Sequence, residues 1–334
     1  MARAKGAAPP LTGATAEGSD PLVSVIIPAR NAAATLQGTL DALRRQRGLS
    51  SESYEVLVVD DRSSDETAAL VRASSFARLV EMPRWGGSYA ARNLGLAHAR
   101  GEVIAFTDAD CRPVADWLQR GLSDLDAGAA DLLGGRIDVP LRARPSVPEV
   151  LDVCWHFDQA RYVQMSFAVT ANLFARRAVF DLVGPFNGSL TSNGDQEFCL
   201  RATAHGVSLA YSPGAAVVHP PRTSARETVR KSLRLGLGRA QTDAFAPGAA
   251  RRDESDRSAR GLKDRLRGLA GKAWALIVGP EVFGIERIRS QGYEPSPMQL
   301  VRIQLAAYLL IDLPMKAGYL AGRIDARGAA RREP

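Results

Sequence analysis

The fold predicted for this chain depends on one stretch, Val103-Ile104-Ala105-Phe106-Thr107-Asp108-Ala109-Asp110. Its first four residues form an apolar run that is too short for a helix and typical of a buried strand. Ligands of open α/β sheets bind at the carboxyl ends of the strands, so chemistry is expected at Asp108 and Asp110. Two carboxylates at this spacing suit Mg²⁺ or Mn²⁺, which prefer oxygen ligands. The alternative is a solvated acidic turn.

Further patterns extend this strand into a sheet. Apolar runs predict strands at Val23–Pro28, Glu55–Asp61, Leu132–Ile137 and Ala216–Val218. Segments with helical periodicity separate the early strands, and this alternation predicts a parallel sheet with right-handed crossovers. The fold class is therefore α/β, with a Rossmann-like, mostly parallel sheet flanked by helices.

Acids and glycines follow the second predicted strand. Asp60 and Asp61 lie at the same carboxyl edge, where one could accept a hydrogen bond from a base N–H or a ribose hydroxyl. Alternatively, both only cap the following turn. Gly86 and Gly87 precede a helix that carries Arg92, and a glycine pair lets the backbone approach a ligand closely.

The loop after the first strand argues against two enzyme classes. Pro28-Ala29-Arg30 contains no glycine, whereas a dinucleotide dehydrogenase needs glycines there for the approach to the pyrophosphate. A sugar-phosphate nucleotidyltransferase, which also has a nucleotide-binding α/β domain, would have a glycine-rich and basic loop at this point.

Composition fits a large globular protein with a localised positive charge. The chain has 334 residues, of which 46% are hydrophobic and 24% are charged, and a net charge of +7. Residues 222–267 hold 13 Lys and Arg against 6 Asp and Glu, which accounts for the whole excess. Such a stretch favours a polyanion or an anionic membrane surface as partner. It lacks interleaved aromatics, so nucleic acid is not expected as a partner.

The cysteines and the N-terminus bear on location. Cys111, Cys154 and Cys199 are far apart and form no Cys-x-x-Cys pair, so neither a disulfide framework nor a zinc site is expected. Residues 1–21 are typical of a disordered tail rather than a signal peptide. No run of 18 apolar residues occurs, so no spanning helix is expected. These features predict a cytoplasmic protein, free or peripheral on the inner face of the plasma membrane.

Taken together, the motifs resemble those of the inverting glycosyltransferases of family 2. The resemblance extends from about residue 22 to residue 219 and rests on the order and spacing of Val23–Asn31, Val58–Asp65, Ala91–Gly95 and Thr107–Asp110. It implies a GT-A fold, a nucleotide-diphospho-sugar donor and Mg²⁺ or Mn²⁺ as cofactor. One departure is Arg62, where the family usually has glycine.

The resemblance also implies roles for individual residues. The nucleotide would be bound by Pro28, Ala29, Arg30, Asp60, Asp61, Arg92 and Asp108. Asp110, the last aspartate of its motif, would bind the metal. His219 could complete the metal or diphosphate site, or it could be a core-edge histidine. Contacts to the donor or acceptor sugar are implied for Asn172, Asp108, Glu197 and Arg201.

A catalytic base is implied at the start of a later helix. The family places Glu-Asp before this helix, and its aspartate removes the proton from the acceptor hydroxyl. Here Gly194 stands in place of the glutamate, while Asp195 keeps the aspartate position. The alternative for Asp195 and Glu197 is an acidic helix N-terminus without catalytic function.

The last third of the chain carries fewer motifs. The Gln-x-x-Arg-Trp motif of processive family members is not found, so transfer of a single sugar is expected. Residues 22–220 are assigned to the GT-A catalytic domain and residues 221–334 to a basic, helical region. The apolar stretches 273–278 and 300–320 fit helices on an anionic inner leaflet, or a helical pair packed on the catalytic domain or in a homodimer.

The predicted function is therefore inverting transfer of one sugar to an acceptor hydroxyl. The acceptor would be a glycan, a glycolipid or a small molecule, in cell-envelope, polysaccharide or glycolipid synthesis. The departure at Gly194 leaves one non-enzymatic alternative, a catalytically inactive protein that binds sugar nucleotides as a scaffold.

Overall fold

A computed structural model of the protein describes residues 20–127, 130–245 and 284–330. These residues form two compact units. The second unit comprises 139–156, 190–193 and the described residues after 220, and the first comprises the rest. One break between the units falls at residue 220, but two short segments inside the expected catalytic domain belong to the second unit.

The described part of the first unit is built on a sheet of eight strands. In chain order they are β1 Val23–Ala29, β2 Tyr54–Asp60, β3 Arg78–Glu81, β4 Val103–Thr107, β5 Arg112–Pro113, β6 Leu132–Asp138, β7 Asn172–Arg176 and β8 Leu209–Val218. Their order across the sheet is β3-β2-β1-β4-β7-β6-β8-β5. The first four strands of that order are mutually parallel, as are β6 and β8.

Helices flank the sheet and build most of the second unit. They are α1 Ala33–Arg44, α2 Thr67–Arg72, α3 Gly87–His98, α4 Trp117–Ala127, α5 Val147–Trp155, α6 Gln159–Gln164, α7 Arg177–Val183, α8 Gly194–Ala204, α9 Ala225–Phe245, α10 Ile285–Arg289, α11 Pro297–Ala307 and α12 Leu313–Ala330. The predicted fold class is confirmed: a mixed, mostly parallel sheet flanked by helices, with a helical C-terminal extension.

One central strand was not predicted. β7 pairs antiparallel with both β4 and β6, and all five of its residues are buried. Its sequence, Asn-Leu-Phe-Ala-Arg, has no alternation of polar and apolar residues, because both faces of the strand are covered. The strand leads directly into α7, whose C-cap is Gly184.

An aromatic cluster ties the functional elements of the first unit together. The ring of Phe186 lies 5.3 Å from Phe106 on β4, 5.9 Å from Phe180 on α7 and 4.7 Å from Phe198 on α8, measured between centroids. Buried aromatic pairs contribute both apolar area and preferred ring geometry. The cluster therefore fixes α8 against β4.

Two long helices of the second unit pack closely through glycines. A Cβ atom at Gly236 on α9 would lie 1.9 Å from the carbonyl oxygen of Met315, and one at Gly318 on α12 would lie 2.1 Å from that of Leu233. Small residues of this kind allow helix backbones to approach each other.

The C-terminal helix is continuous through a π-helical turn. α11 runs into the turn Tyr308–Asp312, which leads directly into α12. Pro314 follows this turn; its ring cannot accommodate the carbonyl of residue 310 in a regular α-helix, and the wider turn relieves that clash. The helical segment Pro297–Arg323 has 27 residues and contains an 18-residue window with a mean hydropathy of 1.2, so it is long and apolar enough to cross a membrane by length and composition alone.

Part of the basic stretch after residue 221 is used inside the second unit. Asp152 on α5 is buried and accepts hydrogen bonds from the backbone N–H of Arg222 at 3.0 Å and from Nζ of Lys231 at 3.3 Å. The sequence predicts an anionic membrane surface as the partner of this basic stretch, whereas these two side chains pair with a buried carboxylate of the second unit. The apolar stretch 273–278 and residues 1–19 of the expected tail lie outside the described residues.

Candidate active site

The carboxyl ends of β1, β2 and β4 bring the predicted residues to one edge of the sheet. β1 lies between the other two strands, with Ala29 opposite Asp60 and Ile26 opposite Phe106. Pro28 is half-buried, Ala29 is buried and Arg30 is exposed. This topology places the loop after β1 between the acids that follow β2 and those that follow β4.

Asp60 and Asp61 differ sharply in their contacts. Asp61 accepts hydrogen bonds from the backbone N–H groups of Gly86 and Gly87, both at 2.8 Å, so each of its oxygens has a partner. In Asp60, Oδ2 accepts from the backbone N–H of Ser63 at 3.1 Å. Its Oδ1 is buried and has no hydrogen-bond partner among the described residues. A buried carboxylate oxygen without a partner is costly, which makes Asp60 the residue poised for a ligand.

Helix α3 begins at these glycines and carries two residues toward the acids. Arg92 is 4% exposed and donates from Nη2 to Oδ1 of Asp108 at 2.6 Å. Its guanidinium also lies over the ring of Tyr89, 5.6 Å from the centroid. Arg92 therefore holds one carboxylate of the Asp-x-Asp pair in a charge-assisted hydrogen bond.

An exposed aromatic lies beside the loop after β1. The guanidinium of Arg30 is 5.4 Å from the ring of Trp85, whose side chain is 63% exposed. Trp85 directly precedes the glycine pair that Asp61 holds. Sequence reasoning did not select it as a site residue, although its position before Gly-Gly could have been the signal.

Asp110 and His219 form a candidate metal site with Cys111. One ligand atom from each of the three residues lies within 4.8 Å of the others. Burial, together with the neighbouring acids, raises the pKa of the Cys111 thiol well above its usual value. A thiol that stays protonated is a poor metal ligand, so the effective donors are the carboxylate and the imidazole.

The imidazole of His219 is oriented for ligation. Its Nδ1 lies 2.7 Å from the carbonyl oxygen of Pro220, which can only accept, so Nδ1 carries the proton. In the neutral ring Nε2 then presents a lone pair, 3.7 Å from Oδ2 of Asp110. A nitrogen and an oxygen at this distance can both ligate one cation. This donor set fits a divalent metal ion.

Asp195 is held by three hydrogen bonds at the start of α8. Oδ1 accepts from the hydroxyl of Tyr89 at 3.2 Å and from the backbone N–H of Gln196 at 3.0 Å. Oδ2 accepts from the backbone N–H of Thr170 at 3.4 Å, a long contact. Burial raises the pKa of the Asp195 carboxyl, although Arg92 and these hydrogen bonds oppose that change. A raised carboxyl pKa suits a group that takes up a proton.

Asn172 has a structural environment. It is fully buried, and its Oδ1 accepts from Nε1 of Trp117 at 2.9 Å. Its Nδ2 donates to the carbonyl oxygens of Arg136 and Ala215 at 2.8 and 2.9 Å. The amide thus joins β6, β8 and α4. We therefore do not propose that this side chain contacts a sugar.

Arg201 and Glu197 are likewise engaged with protein groups. Both oxygens of Glu197 accept from Arg201, at 2.7 and 3.1 Å. The guanidinium of Arg201 also donates to the carbonyl oxygens of Val183, Gly184 and Pro185. These carbonyls lie at the end of α7, so Arg201 caps that helix.

Tyr89 is the site residue that sequence reasoning missed. Its hydroxyl contacts Asp195 and its ring contacts Arg92, three residues further along the same helix face. That spacing was the available signal, but the contact with Asp195 spans 106 residues and cannot be read from local sequence.

Comparisons with known proteins identify the family to which the chain is similar. The sequence model described as "Glycosyl transferase family 2" matches residues 24–182. Glycosyltransferase AglE of Haloferax volcanii is 37% identical over 226 residues, covering 66% of this chain and 74% of AglE. The pre-mycofactocin glycosyltransferase of Mycobacterium tuberculosis is 29% identical over 223 residues, and the match covers 64% of this chain and 46% of that protein.

A solved structure shares the fold. The mannosyltransferase PcManGT from Pyrobaculum calidifontis, in complex with GDP-Man and Mn²⁺, has a TM-score of 0.52 at 20% identity. The similarity covers 90% of this chain and 90% of that one.

Proposed function

The chain belongs to glycosyltransferase family 2, and from this premise we propose that it transfers a single sugar, with inversion, from a nucleotide-diphospho-sugar to an acceptor hydroxyl. The observation that carries the proposal is that four acids of the first unit lie on elements with fixed positions: Asp60, Asp108, Asp110 and Asp195. The first three lie at the carboxyl ends of β2 and β4, which both pair with β1, and Asp195 lies on α8, which the aromatic cluster holds in place.

The nucleotide is bound at the edge formed by β1 and β2. Asp60 offers to the base or the ribose its Oδ1, which has no hydrogen-bond partner in the described part of the chain, and Asp61 holds the glycines at the start of α3. Arg92 fixes Asp108, which contacts the ribose or the donor sugar. A donor held in this way enters the reaction in attack geometry.

A divalent cation would be held by Asp110 and His219. When bound, such an ion neutralises the charge that develops on the leaving diphosphate. The contact between Nδ1 of His219 and the Pro220 carbonyl selects the tautomer that ligates. The structural neighbour solved with GDP-Man supports Mn²⁺ as the first ion to test.

Asp195 removes the proton from the acceptor hydroxyl as its oxygen attacks the anomeric carbon. Oδ2 is the oxygen for this step, because its described contact is the long one to the Thr170 amide. Burial keeps the pKa of the Asp195 carboxyl above that of an exposed aspartate, which increases its basicity.

The proposal is tested by thermal shift with UDP-, GDP- and dTDP-sugars, with and without Mn²⁺, on the wild type and on Asp110→Ala. One nucleotide class should raise the melting temperature in a metal-dependent way, and the variant should lose that dependence. Asp195→Asn should keep donor binding and lose release of nucleoside diphosphate. Binding without turnover by the wild type would support the inactive scaffold instead.

We also propose that the second unit contacts an anionic membrane surface. Met298, Leu305, Leu309, Leu313 and Leu320 form an apolar stripe along the C-terminal helix, each 48–65% exposed. The spacings of 7, 4, 4 and 7 residues keep them on one face, and exposed Arg302 and Lys316 flank it. An aliphatic face with cationic borders is typical of helices that lie in a membrane interface.

A further inference from the structure

Gly194 and Tyr89 occupy the same small volume beside Asp195. A Cβ atom at Gly194 would lie 2.8 Å from Cδ2 and from Cε2 of the Tyr89 ring. Real Cβ atoms do not approach an aromatic ring so closely, so any side chain at position 194 would displace Tyr89. The Tyr89 ring therefore fits beside Asp195 because position 194 carries no side chain.

The ring admitted in this way delivers a hydrogen bond to the carboxylate. Tyr89 is 6% exposed, and its hydroxyl donates to Oδ1 of Asp195 at 3.2 Å. Oδ1 therefore accepts hydrogen bonds from two donors, Tyr89 and the backbone of Gln196, while Oδ2 accepts the longer one from the Thr170 amide. The hydrogen bond thus selects which oxygen of the carboxylate meets the acceptor.

Tyr89 also connects this carboxylate to the Asp-x-Asp pair. Arg92 lies over the Tyr89 ring and donates to Asp108. Both residues lie on α3, and Asp61 holds the backbone N–H groups of the N-cap Gly86 and of the first helical residue, Gly87. Because the start of α3 is held in this way, the helix fixes the distance between Asp195 and Asp108.

We infer that Tyr89 is a positioning residue for Asp195 and that Gly194 acts with it as a pair, so the glycine is a requirement of this site and not a sign of inactivity. The inference rests on the proposed function of Asp195 as the base. At the position of the family glutamate this chain has Gly194, and the ring of Tyr89 on α3 fills the volume beside it.

The first test replaces the hydroxyl alone. Tyr89→Phe should lower the rate of nucleoside diphosphate release about tenfold, with little change in the KM of the donor that the wild type turns over. The hydroxyl favours the ionised carboxylate, and its removal raises the pKa of Asp195. The acid limb of the pH–rate profile should therefore move to higher pH.

Besides Tyr89 itself, the charged and titratable groups that interact with Asp195 among the described residues include Arg92 from α3 and Cys199 on its own helix, and both are unchanged in this variant. Tyr54→Phe is the matched control, because Tyr54 is also buried and donates to the carbonyl oxygen of Leu43 at 2.9 Å. The control should leave the rate and the pH profile as in the wild type.

The second test is a double-mutant cycle. Gly194→Ala should slow the wild type about tenfold, because the methyl group pushes the hydroxyl away from the carboxylate. In the Tyr89→Phe background the same change should cost less than about twofold, since the hydrogen bond is already absent. Losses that multiply independently would overturn the pairing.

Two outcomes separate this inference from the proposed function. If the wild type releases no nucleoside diphosphate from any donor, the proposed function fails. The contact is then still tested by NMR titration of Asp195 in protein labelled with ¹³C-aspartate, in which the pKa should be higher in Tyr89→Phe. An active wild type whose rate, pH profile and Asp195 titration are unaffected by Tyr89→Phe would overturn the inference alone.

Discussion

Asp60 and Asp61 are adjacent acids with different functions in this structure. Asp61 is fully engaged by the backbone of the glycine pair, whereas Asp60 keeps a buried oxygen without a protein partner among the described residues. The left-handed turn after them is formed by Arg62 at φ +60°, a conformation that glycine adopts more easily. The turn is thus kept without its usual glycine, and we propose that Asp60 rather than Asp61 contacts the nucleotide.

This division of functions predicts opposite phenotypes for two conservative variants. Asp60→Asn should weaken nucleotide binding about tenfold or more and leave the melting temperature of the free protein nearly unchanged. Asp61→Asn should destabilise the protein by about 1–3 kcal/mol, because an amide N–H would face a backbone N–H. Calorimetric titration and urea unfolding measure the two effects, and reversed phenotypes would contradict the assignment.

At the residue scale, the positions of the acids follow from local sequence, whereas the partners of the neighbouring polar side chains do not. Asp60, Asp108 and Asp110 were predictable because each follows a short apolar strand, a local pattern. Asn172 and Arg201 were expected at the sugar, but the structure commits their polar atoms to Trp117 and to the end of α7. Those partners lie 18 to 55 residues away, and only the fold determines which polar side chains remain available.

At the scale of elements, the parallel strands were predictable and β7 was not. Alternating strands and helices dictate the order of the first half, since each crossover returns the chain to the same edge. β7 enters antiparallel between β4 and β6, and its fully buried residues carry no periodic signal. The helical extension was predictable from apolar runs, but its close packing through Gly236 and Gly318 was not.

Helix α5 is stabilised at its start by a buried carboxylate. Glu149 accepts from Nε and Nη2 of Arg142, at 2.7 and 2.5 Å, and from the backbone N–H and Oγ of Ser146 at 2.8 and 2.7 Å. These contacts lower the pKa of Glu149 from 4.5 to about 2, with the hydrogen bond from Arg142 as the largest cause. The stabilisation is therefore complete above the unfolded pKa and is lost as pH falls toward 2.

Glu149→Gln should accordingly cost about 1–2 kcal/mol of unfolding free energy at neutral pH and less at pH values near 3. Urea unfolding at both pH values measures this. Glu286→Gln is the matched control, because that carboxylate is 80% exposed in its pair with Arg289 and should contribute little. A cost for Glu149→Gln that does not depend on pH would contradict the assigned contacts.

The contact between α9 and α12 predicts that a methyl group is not tolerated there. Gly236→Ala places a Cβ against a backbone carbonyl that cannot rotate away, so the helices must separate at a cost of about 1–3 kcal/mol. Gly38→Ala in α1 is the control, since its Cβ would meet only the end of the flexible Arg112 side chain at 3.0 Å. That variant should be neutral or gain about 0.5–1 kcal/mol from helix propensity. Equal melting temperatures for the two variants would contradict this packing.

At the scale of the whole molecule, charge and apolar surface point to the same partner. The chain carries 43 Lys and Arg against 36 Asp and Glu, an excess that attracts anionic lipid. The C-terminal helix adds a stripe of exposed aliphatic side chains with Arg302 and Lys316 beside it and one acid, Asp312, nearby. A membrane surface satisfies both features, while the glycine face of the same helix is already used against α9.

The membrane proposal predicts the behaviour of a variant with Leu305, Leu309 and Leu313 changed to serine. Wild-type protein should float with vesicles of equal parts phosphatidylglycerol and phosphatidylcholine, and less with phosphatidylcholine alone. The variant should bind at least about tenfold more weakly, because each leucine contributes apolar area to the interface. High salt should also weaken the binding of the wild type to the anionic vesicles.

A second variant separates the stripe from general surface hydrophobicity. Met165, Leu182 and Leu200 are exposed on the first unit, and changing them to serine removes three apolar side chains away from the helix. This control should float like the wild type. If the stripe instead joins two copies of the chain, light scattering without vesicles should detect a dimer that the leucine variant loses. If all three proteins float equally, the stripe is not the membrane contact, because removing its leucines would then leave vesicle binding unchanged.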